Sequence, residues 1–379
     1  MGEIQLRNRP MASTIATTST DLAALLKRVC RVSARKAAGI YSHLLIAASQ
    51  SGLEISANNG QQQITLSAPV GTYSLSGSGD QFCVQAAKLV QIVSALPRGA
   101  EVTLTHSDGK VRIVSGRARF TLVTLPAKDF LQMALADEDA NVCLSVDGDL
   151  ISGALRQVGF CAGRTDVRHY LNGVLFELSS GRLTLAASDG YRLGVVELSV
   201  DGVADASFIL PSSGIEDVVL FCAATRVEIT SSAKLVRYAA PAGVLYSTLV
   251  DGEFPDYRRL VDAAEKGASV QVAKNDMADA LARVALLSHG SSPVVRIACQ
   301  GDNLTLQSVA GDDVAQDILP CSYSGGPFEL GLQVSLAGEV VRALGSEKIN
   351  FHFNGAASGT LLRATDFSSH SFVLMPVRL

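Results

Sequence analysis

The chain has 379 residues, 47% of them apolar and 18% charged, with a formal net charge of −4. This length corresponds to two or three domains, and the apolar fraction excludes a disordered or highly charged protein. No apolar run approaches the ~18 residues of a membrane helix, no secretory signal pattern is present, and the seven cysteines lack metal-ligand spacing. We therefore expect a cytoplasmic protein with reduced cysteines, no metal and no cofactor.

In chain order, the sequence predicts short strands of period two interrupted by a few amphipathic helices. Residues 1–12 are expected to form a disordered extension. Six helices are predicted, over Asp21–Val32, Ala86–Leu96, Asp149–Cys161, Ile215–Ala224, Asp276–Leu287 and Ser335–Leu344. The clearest strands are Val102–Thr105, Val111–Val114, Phe120–Leu125, Leu183–Ala186 and Leu304–Gln307.

Three strand patterns recur along the chain at nearly constant spacing, with offsets between 121 and 130 residues. The patterns are Gly52–Ile55 with Arg182–Leu185 and Asn303–Leu306, the strands from Val102, Val227 and Ile349, and the pairs beginning at Val111, Val236 and Leu362. The sequence therefore predicts three copies of one α+β unit, each with two helices and about eight strands. Three unrelated β-rich domains are the alternative.

Two segments rich in charged residues predict the boundaries between the copies. The first is the acidic run Asp137–Asp139 and the second is Asp262–Gly267. We expect the first domain to span 13–138, the second 139–266 and the third 267–379.

No motif of a common enzyme active site occurs in the sequence. The GxxxxGK[ST], GxSxG, HExxH and EF-hand patterns are absent, and the six histidines are isolated from one another and from the cysteines. The residues give no positive support for an enzyme, although an active site assembled from distant positions is an alternative.

Basic residues are concentrated in the first predicted helix and just after it. Lys27, Arg28, Arg31 and Arg35 lie there with a single acid, Asp21. Lysine and arginine at this spacing neutralise backbone phosphates without reading bases, provided that the helices of all three copies face the same way. A solvated helix face is the alternative. The net charge of −4 says nothing about where the charges lie, so it does not exclude DNA.

Several longer motifs resemble the bacterial DNA polymerase III beta subunits, the replicative sliding clamps. The likeness spans residue 13 to the end of the chain, with its motifs in the family's order. They are SGRARFTL from Ser115 with TLPAKDF from Thr124, RHYLNGVLFE from Arg168, SDGYRL from Ser188, LVDGEFPDYRR from Leu249 and FVLMPVRL from Phe372.

The resemblance implies three clamp domains per chain and a head-to-tail homodimer that forms a six-domain ring. Helices face the central hole, through which double-stranded DNA passes without sequence preference. The residues that the resemblance places at the dimer interface are Lys88, Phe120, Leu122, Leu286 and Leu287. The expected DNA-facing residues are the basic ones named above, Lys27, Arg28, Arg31 and Arg35, and also Arg164, His169 and Tyr170.

The resemblance also implies a groove between domains 2 and 3 that binds short hydrophobic motifs of partner proteins. Apolar walls with arginine anchors suit such a ligand, although core packing is an alternative for Leu171 and Leu193. Arg192 and Arg259 are expected at the surface. The matching residues are Leu171, Ser188, Gly190, Tyr191, Arg192, Leu193, Pro255, Arg259, Leu260, Val373, Leu374, Met375, Pro376, Val377, Arg378 and Leu379.

The sequence departs from the family pattern in several places, one of them His169-Tyr170, where a pair of tyrosines is frequent. Ser188 and Tyr191 stand where threonine and histidine are common, and Ser212-Ser213 stand where many relatives have arginine or lysine. The expected function is a non-catalytic processivity factor that tethers DNA polymerase III subunits and repair polymerases to DNA and also binds the clamp loader. A clamp-fold protein without ring closure, acting as a soluble partner-binding regulator, is the alternative.

Overall fold

A computed structural model describes residues 13–32, 39–50, 52–77, 79–136, 140, 142–201, 205–288, 293–355, 358–365 and 369–379. These residues form seven α-helices and 25 strands. The strands form two sheets, and the strand pairs whose register is described are antiparallel. None of the helices in these ranges is long and apolar enough to cross a membrane. The predicted extension 1–12 lies outside the described residues.

The helices match the six predicted from periodicity and add a seventh between the second and third repeats. Their bounds are α1 (Ser19–Val29), α2 (Ala86–Ala95), α3 (Gly148–Val158), α4 (Ile215–Cys222), α5 (Arg258–Glu265), α6 (Lys274–Val284) and α7 (Val334–Ala343). The seventh helix, α5, overlaps the segment Asp262–Gly267 that was predicted as a domain boundary. The charged segment from Asp262 to Glu265 is therefore helical.

The chain divides into two compact units, Met1–Ser145 with Leu220–Thr248 and Val146–Val219 with Leu249–Leu379. Each unit contains one sheet, so each is described by itself. The 13-stranded sheet lies in the first unit and the 12-stranded sheet lies in the second.

The strands of the first unit follow the order β10-β15-β16-β17-β4-β3-β2-β6-β9-β8-β7-β1-β5 across their sheet. Their bounds are β1 (Ser13–Thr18), β2 (His43–Ser49), β3 (Gly52–Asn58), β4 (Gln62–Ser67), β5 (Tyr73–Ser76), β6 (Asp80–Gln85), β7 (Glu101–Ser107), β8 (Lys110–Ser115), β9 (Ala118–Pro126), β10 (Val142–Asp147), β15 (Arg226–Ser231), β16 (Leu235–Ala240) and β17 (Gly243–Thr248).

The strands of the second unit follow the order β14-β11-β12-β13-β25-β24-β23-β18-β21-β20-β19-β22. Their bounds are β11 (Gly173–Ser179), β12 (Arg182–Ser188), β13 (Arg192–Ser199), β14 (Ala206–Pro211), β18 (Ala268–Ala273), β19 (Val294–Gln300), β20 (Asn303–Ala310), β21 (Asp313–Ser322), β22 (Phe328–Gln333), β23 (Lys348–Phe353), β24 (Thr360–Ala364) and β25 (His370–Leu374).

The order of elements repeats three times, which confirms the prediction of three α+β copies with two helices and about eight strands each. Every copy runs strand, helix, a set of strands, helix and three strands. In each copy the strands form two groups of four. The first groups are β4-β3-β2-β6, β13-β12-β11-β14 and β21-β20-β19-β22, and the second groups are β9-β8-β7-β1, β17-β16-β15-β10 and β25-β24-β23-β18.

The same kind of junction joins successive copies within each sheet. In the first unit, β17 of the second copy pairs with β4 of the first, with Gly243 opposite Leu66. In the second unit, β25 of the third copy pairs with β13 of the second, with His370 opposite Val196. The last strand of a second group thus pairs with the outer strand of the preceding copy's first group.

Local sequence explains how the first helix begins. The Thr18 side chain accepts a hydrogen bond from the Asp21 backbone N–H, and Asp21 lies in the first turn, where an acid favours the helix dipole. Leu22, Leu25 and Leu26 face inward, so the helix buries one apolar side. The opposite side is left for polar residues.

Candidate functional site

A cavity of about 280 Å³ lies in the second unit, beside the junction of β13 and β25. Aromatic and aliphatic side chains form most of its wall, and two arginines lie among them. The lining residues are Arg168, Tyr170, Leu171, Ser188, Gly190, Arg192, Leu193, Phe254, Pro255, Tyr257, Leu260, Val373 and Met375. We call this cavity the groove.

The β12–β13 turn forms one side of the groove, and its side chains hold its own backbone. Asp189 Oδ1 accepts from the backbone N–H groups of Tyr191 and Arg192, at 2.9 and 3.0 Å. The Ser188 hydroxyl accepts from the Gly190 N–H and donates to the Arg192 carbonyl oxygen. Short polar side chains are suited to such turns because they can replace strand hydrogen bonds. The turn therefore presents a fixed edge to the groove.

Gly190 suits both the backbone conformation of this turn and the close approach of a neighbouring side chain. Its φ of +86° lies in the left-handed region, and a Cβ added there would lie 2.6 Å from an Arg168 guanidinium nitrogen. Arg168 is in turn held by Asp166, with Nη2–Oδ2 at 2.8 Å. The glycine therefore lets this guanidinium lie against the turn at the mouth of the groove.

Arg192 is largely buried rather than exposed, so the expectation of a surface arginine is wrong at this position. Its side chain is 12% exposed and contacts two carboxylates, Asp189 at 3.0 Å and Glu339 on α7 at 2.5 Å. Its guanidinium also lies 5.0 Å from the centre of the Phe160 ring. A charge this deep needs partners, and these contacts supply them. Arg259, by contrast, is exposed as expected.

Helix α5 forms another wall of the groove and is attached to β11 through Glu177. The Tyr257 hydroxyl donates to Glu177 at 2.7 Å, and the Arg258 guanidinium donates to both carboxylate oxygens, at 3.1 and 2.6 Å. Burial acts to raise the pKa of Glu177, but the hydrogen bonds from Arg258 and Tyr257 hold it below its ordinary value. Burial and this carboxylate together raise the pKa of Tyr257. The helix therefore carries Leu260, 46% exposed, at a fixed place on the wall.

The C-terminal segment continues from β25 past the groove. The Met375 N–H donates to the Tyr191 carbonyl oxygen and the Val377 N–H donates to that of Gly331 on β22, each at 2.8 Å. Met375, Val377 and Leu379 remain 38%, 37% and 62% exposed. The apolar end of the chain is thus fixed by its backbone while its side chains are accessible.

The predicted groove residues fall into two sets. Leu171 and Leu193 are each 3% exposed, so they are core residues that also line the cavity. The cavity wall also contains seven further predicted residues, Ser188, Gly190, Arg192, Pro255, Leu260, Val373 and Met375. Outside it lie Tyr191, 66% exposed, buried Leu374, and Arg259, Pro376, Val377, Arg378 and Leu379.

The basic side of α1 forms a separate surface in the first unit. Lys27 and Arg28 are exposed in the last turn of α1, and Arg31 is exposed just after the helix ends. Arg35 lies outside the described residues. In the second unit Arg164 and His169 are exposed, whereas Tyr170 lines the groove and packs on its apolar cluster. Tyr170 thus lies in the groove wall, and its contact with DNA stays a prediction.

Two strands have an edge with no partner strand along most of its length among the described residues. Strand β9 pairs with β6 only from Thr124 to Pro126, and β21 pairs with β18 only at Cys321 and Ser322. Strand β9 has the place in its repeat that β17 and β25 have in theirs, and β21 has the place that β4 and β13 have. These are the strands that form the two junctions between repeats. Apolar side chains accompany both edges, with Phe120 and Leu122 half-buried on β9 and Leu286 77% exposed after α6.

Comparison with known families matches three domain models in succession. The N-terminal, central and C-terminal domains of the DNA polymerase III beta subunit match residues 14–134, 145–256 and 263–378. The chain belongs to this family. The resemblance seen in the sequence motifs is thereby confirmed, as is the fold of three clamp domains.

Curated relatives carry the same family name. The beta sliding clamp of Vibrio cholerae is 31% identical over 301 residues, which cover 78% of this chain and 81% of the relative. The beta sliding clamp of Escherichia coli is 30% identical over 302 residues, with the same coverage of 78% and 81%.

Solved clamp structures share the fold over nearly the whole chain. The DnaN sliding clamp of Pseudomonas aeruginosa has a TM-score of 0.91 at 25% identity and covers 97% of this chain and 100% of its own. The beta sliding clamp of Caulobacter crescentus has a TM-score of 0.90 at 27% identity, with coverage of 98% and 100%.

Sequence reasoning missed four residues that line the groove of this clamp-family chain. Arg168, Phe254 and Tyr257 stand inside motifs that carry the resemblance, and Tyr170 was given another role. The aromatic spacing in FPDY was a usable signal, because two aromatic residues three apart before a helix can share one apolar surface. Only the fold brings that surface beside β25.

Proposed function

We propose that the chain is a DNA sliding clamp, in which two copies associate head to tail in a ring around duplex DNA and tether replicative and repair polymerases. Membership of the DNA polymerase III beta subunit family and the beta sliding clamp relatives support this function. The clamp has no catalytic step of its own in this proposal. It acts in the cytoplasm, where bacterial DNA is replicated.

The recurring junction between copies is the observation that carries ring closure. One chain forms this junction twice, at β4–β17 and β13–β25, and leaves β9 and β21 as the remaining counterparts. Unpaired strand edges readily accept another chain. A second chain pairs its β21 with β9 of the first chain and its β9 with β21 of the first chain. The association therefore closes as a ring rather than continuing as a filament.

The internal repeat also predicts the register of the joined strands. The strand patterns that begin at Gly52, Arg182 and Asn303 end at Ile55, Leu185 and Leu306. These three residues pair with Leu66, Val196 and Asp317, which therefore occupy equivalent places in the three repeats. Gly243 faces Leu66 and begins its strand after a two-residue turn, as Ala118 does. We therefore place Ala118 of one chain opposite Asp317 of the other chain.

The side chains near these edges suit such a contact. Phe120 and Leu122 lie on the inward face of β9, and Leu286 projects 77% exposed from the turn after α6 with Leu287 beside it. Lys88 is exposed on α2. Burial of these apolar side chains stabilises association, since each fully buried large aliphatic residue contributes about 1.5–3 kcal/mol.

DNA contact in this proposal is electrostatic and independent of sequence. Lys27 and Arg28 at the end of α1 and Arg31 just after it form an exposed basic surface, and Arg164 and His169 are exposed in the second repeat. Arg35, outside the described residues, is included on the sequence pattern and the resemblance. Helix α4 carries Glu216 and Asp217 in its first turn and no basic residue in its last, so the contribution of the second copy is weaker. Ring closure, rather than these contacts, keeps the clamp on DNA.

The groove is proposed to bind short hydrophobic segments of DNA polymerase III subunits, the clamp loader and other clamp-binding proteins. Its apolar wall, with Leu260 and Met375 partly exposed, offers surface that such a segment buries. The exposed C-terminal residues extend the binding surface along the chain end. The domain limits 13–138, 139–266 and 267–379 complete the proposal.

The molar mass in solution tests ring closure. Sedimentation equilibrium is expected to give twice the chain mass of 39.7 kDa. Leu122→Asp is expected to give the monomer, because it places a charge in an apolar contact. Val70→Asp, at a side chain 97% exposed between β4 and β5, is the matched control and is expected to stay dimeric. A monomeric wild-type chain that still binds partner peptides would instead support the soluble regulator.

A further inference from the structure

Two cysteine thiols of the third repeat are in contact at the base of β21. Cys299 is near the end of β19 and Cys321 is near the end of β21, and their Sγ atoms are 3.6 Å apart. Cys299 is 2% exposed, whereas Cys321 is half-buried and reaches the surface. Because the two sulfurs are neighbours, each thiol can react with the other, which a single buried cysteine cannot do.

The backbone holds both thiols against one tight turn. Gly301, with a φ of +60°, turns the chain from β19 into β20, and its carbonyl oxygen lies 3.6 Å from the Cys299 Sγ and 3.9 Å from the Cys321 Sγ. The Cys321 N–H donates to the Asp302 carbonyl oxygen at 2.9 Å, which fixes the end of β21 beside the turn. The contact is therefore a product of the fold.

We propose that Cys299 and Cys321 form a reversible dithiol–disulfide site that is oxidised by low-molecular-weight disulfides. A disulfide needs an Sγ–Sγ distance of about 2.0 Å, so the two sulfurs must approach by about 1.5 Å. Cys321 lies just after the last β20–β21 pair, Asn303 with Pro320, and is one of the two β21 residues that pair with β18. It is less buried than Cys299, so we assign the rotation that brings the sulfurs together to the Cys321 side chain.

The exchange proceeds in two balanced steps. The Cys321 thiolate attacks the reagent's S–S bond, forms a mixed disulfide and releases one reduced thiol. The Cys299 sulfur then loses its proton and attacks the Cys321 Sγ, which breaks the mixed disulfide and releases the second reduced thiol. Two cysteine thiols are oxidised and one reagent disulfide is reduced. Burial, the Cys321 thiol and the nearby Asp302 raise the pKa of Cys299, so the second step is expected to be the slower one.

Oxidised glutathione is the probe for this site. The full-length protein is incubated with it, the remaining thiols are alkylated, and peptides are identified by mass spectrometry. We expect a Cys299–Cys321 cross-linked peptide, loss of two thiols per chain and full reversal by dithiothreitol. Cys30→Ser, which removes another half-buried thiol, is the control and is expected to form the same cross-link.

Two variants separate the proposed site from general thiol oxidation. Cys321→Ser changes an accessible residue and is expected to abolish the cross-link without affecting the fold, as judged by the thermal midpoint. Cys299→Ser is expected to stop the reaction at a glutathione adduct on Cys321. A wild-type chain that accumulates only that adduct, or a Cys321→Ser chain that still loses two thiols, would overturn the proposal. Neither result depends on ring closure.

Discussion

Leu260→Ala is expected to weaken binding of a partner peptide without unfolding the groove. Leu260 lies on α5 in the groove wall with 46% of its surface exposed, and a bound apolar segment covers that part. Full burial of a leucine is worth about 1.5–3 kcal/mol, so the exposed share corresponds to about 0.7–1.4 kcal/mol. Since 1.4 kcal/mol is a factor of ten, the dissociation constant should rise about three- to tenfold.

Fluorescence polarisation measures this change with a labelled peptide from the clamp-binding segment of a DNA polymerase III subunit. Leu220→Ala is a matched control, because Leu220 is 45% exposed but lies on α4, outside the groove residues. Both variants are expected to keep thermal midpoints close to the wild type, as neither removes a fully buried side chain. Equal losses of affinity in the two variants, or none in Leu260→Ala, would refute the assignment of the groove.

Two further predictions concern charge. Lys27→Glu combined with Arg28→Glu is expected to make sliding of the loaded clamp along circular DNA faster and less salt-dependent, because fewer phosphate contacts are made. Diffusion coefficients along DNA against salt concentration measure this change, and unchanged coefficients would remove α1 from the DNA path. The pKa of Glu177 is held below its ordinary value, so its contribution to stability is complete above the ordinary glutamate pKa and is lost as pH falls through the depressed one. Glu177→Gln should therefore lose less stability than the wild type between neutral and acidic pH in thermal unfolding, and parallel curves would contradict this interpretation.

The three-copy architecture could be predicted from sequence because its signals are local. Alternating apolar residues and helical periodicity depend on neighbours in the chain, and the recurring patterns at Gly52, Arg182 and Asn303 all lie at the start of a strand in the described structure. The six predicted helices agree with the structure to within a few residues at each end. The repeat also strengthens the prediction, because the same weak strand pattern occurs three times at nearly constant spacing.

Helix α5 could not be predicted in the same way. It is only eight residues long, follows FPDY and exposes most of its charged residues. Val261 and Ala264 pack on a cluster that includes Leu175 and Val373, which lie far away in sequence. Isolated helices of this length are marginal in water, so tertiary packing stabilises this one.

The groove was predicted as a set of motifs, but its chemistry depends on contacts made by the fold. Arg192 was expected to be a surface anchor. Its guanidinium instead donates a hydrogen bond to Glu339, which lies almost 150 positions later in the sequence. Tyr257 stands in the LVDGEFPDYRR motif, and the partner of its hydroxyl, Glu177, lies about 80 positions earlier on β11. Long-range partners of this kind leave no local signal.

Retention on DNA of different topology tests encirclement most directly. The clamp is loaded onto nicked circular DNA by the clamp loader of the same organism, free protein is removed, and half of the sample is linearised with a restriction enzyme. A ring held by topology stays with the circle and slides off the linear ends, so we predict stable retention only on the circle. Equal retention on both forms would contradict encirclement.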